Sequence, residues 1–166
     1  MKGKDERLSK AGYLLIIASL QFTIFWKIAE FLRDEYSVSR DVISALGIGE
    51  NSLLFNSSVI LLGLSGLGAV YILKDYDRIF ATLLFISSVG AIGVGIFPMN
   101  ISLPHTIAAL LTFLFTGLAT LYSYRIEEST LKYIWLILGV TSLTALILFI
   151  TGNYMSIGKG GMERLI

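Results

Sequence analysis

The sequence predicts an all-α protein, a polytopic transmembrane helical bundle with five spans. Two stretches, 79–124 and 133–158, contain no Asp, Glu, Lys or Arg. They are too long to be core helices of a small soluble domain and need a solvent as apolar as themselves, which lipid supplies. Charged residues make up 15% of the chain, against about 25% in ordinary soluble domains. The apolar runs number five, each near the ~20 residues that cross ~30 Å of hydrocarbon as a helix. They are continuously apolar rather than alternating, which argues against a β-barrel, and an open strand would leave backbone groups unpaired in lipid.

The first span is expected at about 11–32. Lys2 to Lys10 followed by this run resembles the start of a signal peptide, but the run is long and no small-x-small cleavage site follows, so it reads as a retained span. The second span is expected at about 52–73 and the third at about 79–97, separated by the charged turn Lys74, Asp75, Asp77 and Arg78. Pro98 stops the third span, having no N–H and clashing with the preceding turn. The fourth span is expected at about 104–124, with Pro104 as its first residue and Ser102 as a nearby cap. Arg125, Glu127, Glu128 and Lys132 form the turn into the fifth span, at about 132–151. Tyr71, Tyr76, Phe97, Tyr122, Tyr124, Tyr133, Trp135 and Tyr154 fall near span ends, as in an interfacial belt. The tail from Gly158 to Ile166 looks like a loop entering another helix. The spans and short loops consume the chain, so residues 1–166 read as a single integral membrane domain.

Orientation follows from basic residues. Lys2, Lys4, Arg7, Lys10, Lys74, Arg78, Arg125 and Lys132 fall on the N-terminal side; Arg33, Arg40, Lys159 and Arg164 fall on the other. The bias expects a multi-pass protein of the cell membrane with a cytoplasmic N-terminus and, with five spans, an extracytoplasmic C-terminus.

Helix packing in lipid depends on close approach of small residues. Span two offers Gly63, Gly66 and Gly68, with Ser65 and Ala69 also four apart. Span three offers Ser87, Ala91 and Gly95, and span four Ala108, Thr112, Thr116 and Thr120. These faces are expected to meet neighbouring helices.

Composition excludes several chemistries. The net charge is +1, and nothing in its pattern suggests nucleic acid. With no cysteine there is no disulfide, thiolate or cysteine-ligated metal, and one histidine cannot supply a multi-histidine zinc site. No phosphate loop, nucleophile elbow or zinc-binding histidine pair occurs. No cofactor and no metal site is expected.

Thr23, Lys27, Glu30 and Asp34 share one face of span one, and Lys27 and Glu30 are spaced to pair. This pair reads either as snorkelling at the outer interface or as the charged wall of an outward-facing polar cavity. Gln21 and Asn56 cannot satisfy themselves on their own helix and are expected to face protein, each other or water, most simply as interhelical glue. His105, in the first turn of span four beside Pro104 and near Asn100, reads as a hydrogen-bonded interfacial residue. It could alternatively titrate near neutral pH or help bind an anionic group.

Several stretches in order resemble the prokaryotic membrane proteins catalogued as domain of unknown function 998. They are Tyr36 to Gly47 with its Arg-Asp pair and Ile-Ser-x-Leu-Gly element, Leu54-Phe-Asn56 with Gly63, Gly95-Ile-Phe-Pro98 with His105, and Gly161-Met-Glu-Arg-Leu165. The resemblance implies a helical bundle, usually of six spans, with no established activity. It departs from the family at Ala45, where an acidic residue is common, and the chain ends where the family usually enters its last span.

The matching residues Arg40, Asp41, Ser44, Asn56, Asn100, His105, Glu163 and Arg164 fall on or near one face in this topology and form the candidate site. The expected function is binding of a membrane lipid, a small amphiphile or a partner membrane protein, including a second copy, at the outer face. One alternative is a lipid hydrolase or transferase using His105 and nearby acidic residues, which requires His105 to reach Asp41, Glu163 or Asn56. The other is a small transporter, against which the lack of a repeat and of mid-bilayer charge counts.

Overall fold

A computed structural model describes residues 2–166, with side chains described from residue 6 onward. The protein is a helical membrane bundle. Its helices are α1 (Lys2–Phe31), α2 (Ser52–Leu73), α3 (Arg78–Ile96), α4 (Ser102–Ile126), α5 (Lys132–Ile150) and the short α6 (Gly158–Leu165). Single 3-10 turns lie at Ile43–Gly47 and Met155–Ile157. No strand occurs among the described residues. Five helices, α1 to α5, are long and apolar enough to cross a bilayer.

Each long helix packs on its neighbours in sequence, α1 on α2 through α4 on α5, so the bundle runs up and down. This alternation gathers the loop 32–51, the turn 97–101 and the segment 151–166 at one face, called here the mouth. The N-terminus and the turns 74–77 and 127–131 lie at the other. Lys2 and Lys4, assigned above to that other side, have side chains outside the described residues.

The helix ends show where local chemistry differs from a hydropathy reading. α1 begins well before residue 11, because the segment from Lys2 to Lys10 extends the helix beyond its apolar part; Glu6 and Lys10 pair across one turn at 2.7 Å. α3 starts at Arg78 because Asp77 caps it, accepting from the Phe80 N–H at 2.8 Å. The same carboxylate accepts from the Tyr122 hydroxyl of α4 at 3.2 Å. Asp77→Ala is therefore expected to cost about 1–2 kcal/mol of stability, read as a lower unfolding temperature in detergent, with Asp77→Asn retaining most of it.

α3 ends at Ile96, two residues before Pro98. α4 departs from expectation. Its first residue is Ser102, its cap position is Ile101 without a side-chain bond, and Pro104 is the third helical residue. A tight turn sets this register, with the Ile101 N–H donating to the Pro98 carbonyl at 2.8 Å. Pro104 is still within the first turn, where a missing N–H is harmless. Ser102 offers its carbonyl to the Thr106 hydroxyl at 2.8 Å instead of capping.

Small residues line the seams. Gly63, Gly66, Ser87, Ala91, Gly95 and Ala108 are buried, while Gly68 faces α1. At Gly90 α3 lies directly against the backbone of α4: a Cβ there would lie 2.7 Å from the Thr112 nitrogen and 2.8 Å from the Ala108 carbonyl oxygen. The Ser87 and Thr116 hydroxyls join across the same seam at 2.5 Å. Two apolar cores result. Ala29, Leu46, Phe55, Val59, Ala91, Val94 and Ala108 form one toward the mouth, and Ala11, Ala69 and Leu73 form another toward the opposite face. The outward surface keeps Leu53, Tyr71, Leu103, Ile137, Ile147 and many similar side chains exposed, as lipid contact requires.

Candidate functional site

The mouth is built by α6 folding back onto the loop between α1 and α2. The glycines of the tail allow it. A Cβ on Gly160 would collide with the Val38 and Asp41 carbonyl oxygens, so only glycine lets this backbone lie against that loop. The Gly160 N–H donates to the Ser39 carbonyl at 2.8 Å. At its other end α6 reaches into the bundle, where the Ile166 carbonyl accepts from Ser142 of α5 at 2.6 Å. Ser142 is about two turns below the Ile150 end of α5.

Arg164 is the hub of this arrangement. Its Nη2 pairs with Glu30 of α1 and donates to the Tyr36 hydroxyl at 2.8 Å. Its Nη1 donates to the carbonyls of Val38 (2.8 Å), Asp41 (3.2 Å) and Gly160 (2.7 Å). Glu30 in turn accepts from the Trp26 indole at 2.6 Å and pairs with Lys27 at 2.8 Å. Lys27 and Glu30 thus form one end of a network that ties α1, the loop and α6 together. Glu30 and Arg164 are both nearly buried there, while Lys27 is half exposed. Burial raises the Tyr36 phenol above its ordinary range, against the pull of the Arg164 guanidinium.

Beside this network lies a cavity of about 400 Å³ between α4 and α5, covered at the mouth by α6. Its wall is apolar: Ala109, Leu110 and Phe113 from α4, Leu146, Phe149 and Ile150 from α5, with Val42 and Met99. Its polar residues are Ser44, His105, Thr106, Lys159 and Glu163. Glu163 is buried. It accepts from the Ile43 N–H and from the Ser44 hydroxyl, the latter at 3.2 Å. Burial pushes its carboxyl up from the usual carboxylate range, although those donors and Arg164 pull the other way.

His105 is also buried, and its Nδ1 meets the Phe97 carbonyl at 2.8 Å. A carbonyl only accepts, so Nδ1 carries the proton and, in the neutral ring, Nε2 is an acceptor. His105 makes no hydrogen bond to Asp41, Glu163 or Asn56, the contacts an acid–base role was expected to need. It shares a cavity with Glu163 and Ser44 instead.

The remaining candidates divide. Arg40 is exposed and pairs with Asp41 at 3.1 Å, also donating to the Glu35 carbonyl at 2.9 Å. Asp41 accepts from the Ser37 N–H at 2.8 Å, and the Arg40 guanidinium holds its carboxyl below the usual range. Both shape the loop rather than the cavity. Asn56 does not bridge helices. Its Nδ2 donates to the Gly47 carbonyl at 3.1 Å, which seats the 3-10 turn on α2, and its Oδ1 is buried without a partner. Gln21 Nε2 is likewise buried without a partner. Asn100 stays exposed in the turn after Pro98 and does not line the cavity.

Tyr36, Lys159 and the apolar wall were not among the expected site residues. Tyr36 and Lys159 sit inside the Tyr36–Gly47 and Gly158–Ile166 stretches and could have been marked there. The wall is indistinguishable in sequence from lipid-facing surface. Among the described residues no group of three His, Asp or Glu side chains gathers as a metal site.

Comparison with known proteins gives one match. The profile of the family described as Protein of unknown function (DUF998) matches residues 16–166. No curated protein and no solved structure matches the chain.

Proposed function

The chain belongs to the family described as Protein of unknown function (DUF998), and from that premise we propose that this integral membrane protein binds one amphiphilic molecule at its mouth. The apolar tail occupies the cavity between α4 and α5, and the polar head meets Ser44, His105 and Glu163. One observation carries the reading: a volume of about 400 Å³ with an apolar wall ends at a small cluster of convergent polar side chains. Ligand pockets commonly fall between ~300 and ~1,000 Å³ and have this composition.

The N-terminal face is taken as cytoplasmic, because the basic residues are concentrated there. The mouth then opens toward the opposite leaflet of the cell membrane, and the ligand enters from lipid.

Native mass spectrometry of protein purified with its lipids tests the reading. The wild type is expected to retain one amphiphile per chain. Ala109→Phe, which fills the cavity from its α4 wall, is expected to lower retention by about tenfold, equivalent to about 1.4 kcal/mol. Equal retention by both, or retention of bulk lipid alone, would contradict it.

A further inference from the structure

The charge arrangement around this cavity selects among ligand heads. Glu163 is a buried carboxylate on the cavity wall, yet it forms no ion pair among the described residues. The guanidinium next to it in sequence, on Arg164, is committed to Glu30. Lys159, one turn earlier on α6, is exposed and stands over the Phe149 ring at 5.8 Å instead of on the carboxylate. The two hydrogen bonds Glu163 receives, from Ile43 and Ser44, come from neutral donors.

Lys159 at the exposed rim is the one cation of the lining; the remaining polar groups on the wall have few protons to give. The Ser44 hydroxyl is directed at Glu163. His105 spends its Nδ1 proton on the Phe97 carbonyl and presents an acceptor at Nε2. The Thr106 hydroxyl donates to the Ser102 carbonyl at 2.8 Å. The interior therefore offers a carboxyl group and acceptors with no cation paired to them, in surroundings where a charge without a partner is expensive.

We infer that the amphiphile bound here carries a protonated amine head, with Glu163 as its counter-charge and His105 Nε2 as a second acceptor. An ammonium brings three donors and the missing positive charge. A carboxylate or phosphate head would set like charge against Glu163, so the same wall rejects it. Lys159 at the rim opposes an amine only through solvent, where its charge is screened.

The inference rests on the amphiphile-binding reading, and a head-group series separates the two. Hexadecylamine, hexadecanol and palmitate share one chain length. They are titrated against the full-length protein in nanodiscs, with binding read by native mass spectrometry. The amine is expected to bind about tenfold tighter than the alcohol, about 1.4 kcal/mol, and palmitate weakest. Glu163→Gln, whose Oε1 can still accept from the Ile43 N–H while its Nε2 donates to the Ser44 hydroxyl, is expected to bring the amine-to-alcohol ratio to about one, a loss of the same 1.4 kcal/mol. Equal binding of all three heads by the wild type, or a preference for palmitate, overturns the amine assignment and leaves amphiphile binding standing. A preference for the amine that survives Glu163→Gln also overturns the assignment to Glu163. Failure of every head to bind overturns both readings.

Discussion

Arg164→Ala is expected to destabilise the protein by about 3–5 kcal/mol, the cost of breaking a buried ion pair from one side. The substitution strands Glu30, whose side chain is only 9% exposed. It also removes donors from the Val38, Asp41 and Gly160 carbonyls and the partner of the Tyr36 hydroxyl. Lys27 remains on Glu30 and softens the loss. The paired variant Arg164→Met with Glu30→Gln removes the stranded charge and is expected to recover part of the stability. Thermal unfolding in detergent and proteolysis of the tail both read this out. An Arg164→Ala protein that melts like the wild type would mean that α6 does not depend on the network.

Gly90→Leu is expected to have the next largest effect, because α3 and α4 meet backbone to backbone there. The first added carbon already falls 2.7 Å from the Thr112 nitrogen and 2.8 Å from the Ala108 carbonyl. Neither can yield without moving a helix, since both belong to the main chain of α4. Overpacking a tight seam typically costs about 1–3 kcal/mol, and Leu adds further carbons beyond the first. The shift would also move Ala109 and His105, on the same helix, so amphiphile retention is expected to fall along with the unfolding temperature. Gly12→Leu is the matched control, since a Cβ there meets nothing within 4 Å. Equal unfolding temperatures for the two variants would contradict the close packing of α3 on α4.

The five spans were legible because lipid imposes its demand on every residue of a span, so composition alone reveals them. Their ends were less so. Lys2 to Lys10 continue α1 as helix although they are polar, and hydropathy marks where lipid ends, not where the helix ends. At α4 a turn closed by Pro98 and Ile101 set a register that Pro104 alone could not indicate.

Within the site, periodicity revealed the pairing of Lys27 with Glu30 because both lie on one helix. It could not reveal that Arg164, 134 residues away, also pairs with Glu30. That contact depends on α6 turning back at the mouth. The turn depends on Gly158 and Gly160 lying against Ser39 and Asp41, a backbone fit with no signature in hydropathy. The same limit hid the cavity: Phe113 and Leu146 look like any lipid-facing residue until the fold sets them on one wall with Glu163 of α6. Asn100 seemed equivalent to its neighbours in the linear order, but the turn after Pro98 keeps it in the open.

Because the chain contains no cysteine, single cysteines can report which face each segment occupies. Cysteine placed at Ser39, Asn100 or Ser156 is expected to react with a membrane-impermeant maleimide added to one side of sealed vesicles. Cysteine at Asp75 or Ser129 is expected to react only from the other. Labelling of Ser129 and Ser39 positions from the same side would contradict the five-span bundle and, with it, the assembly of the mouth.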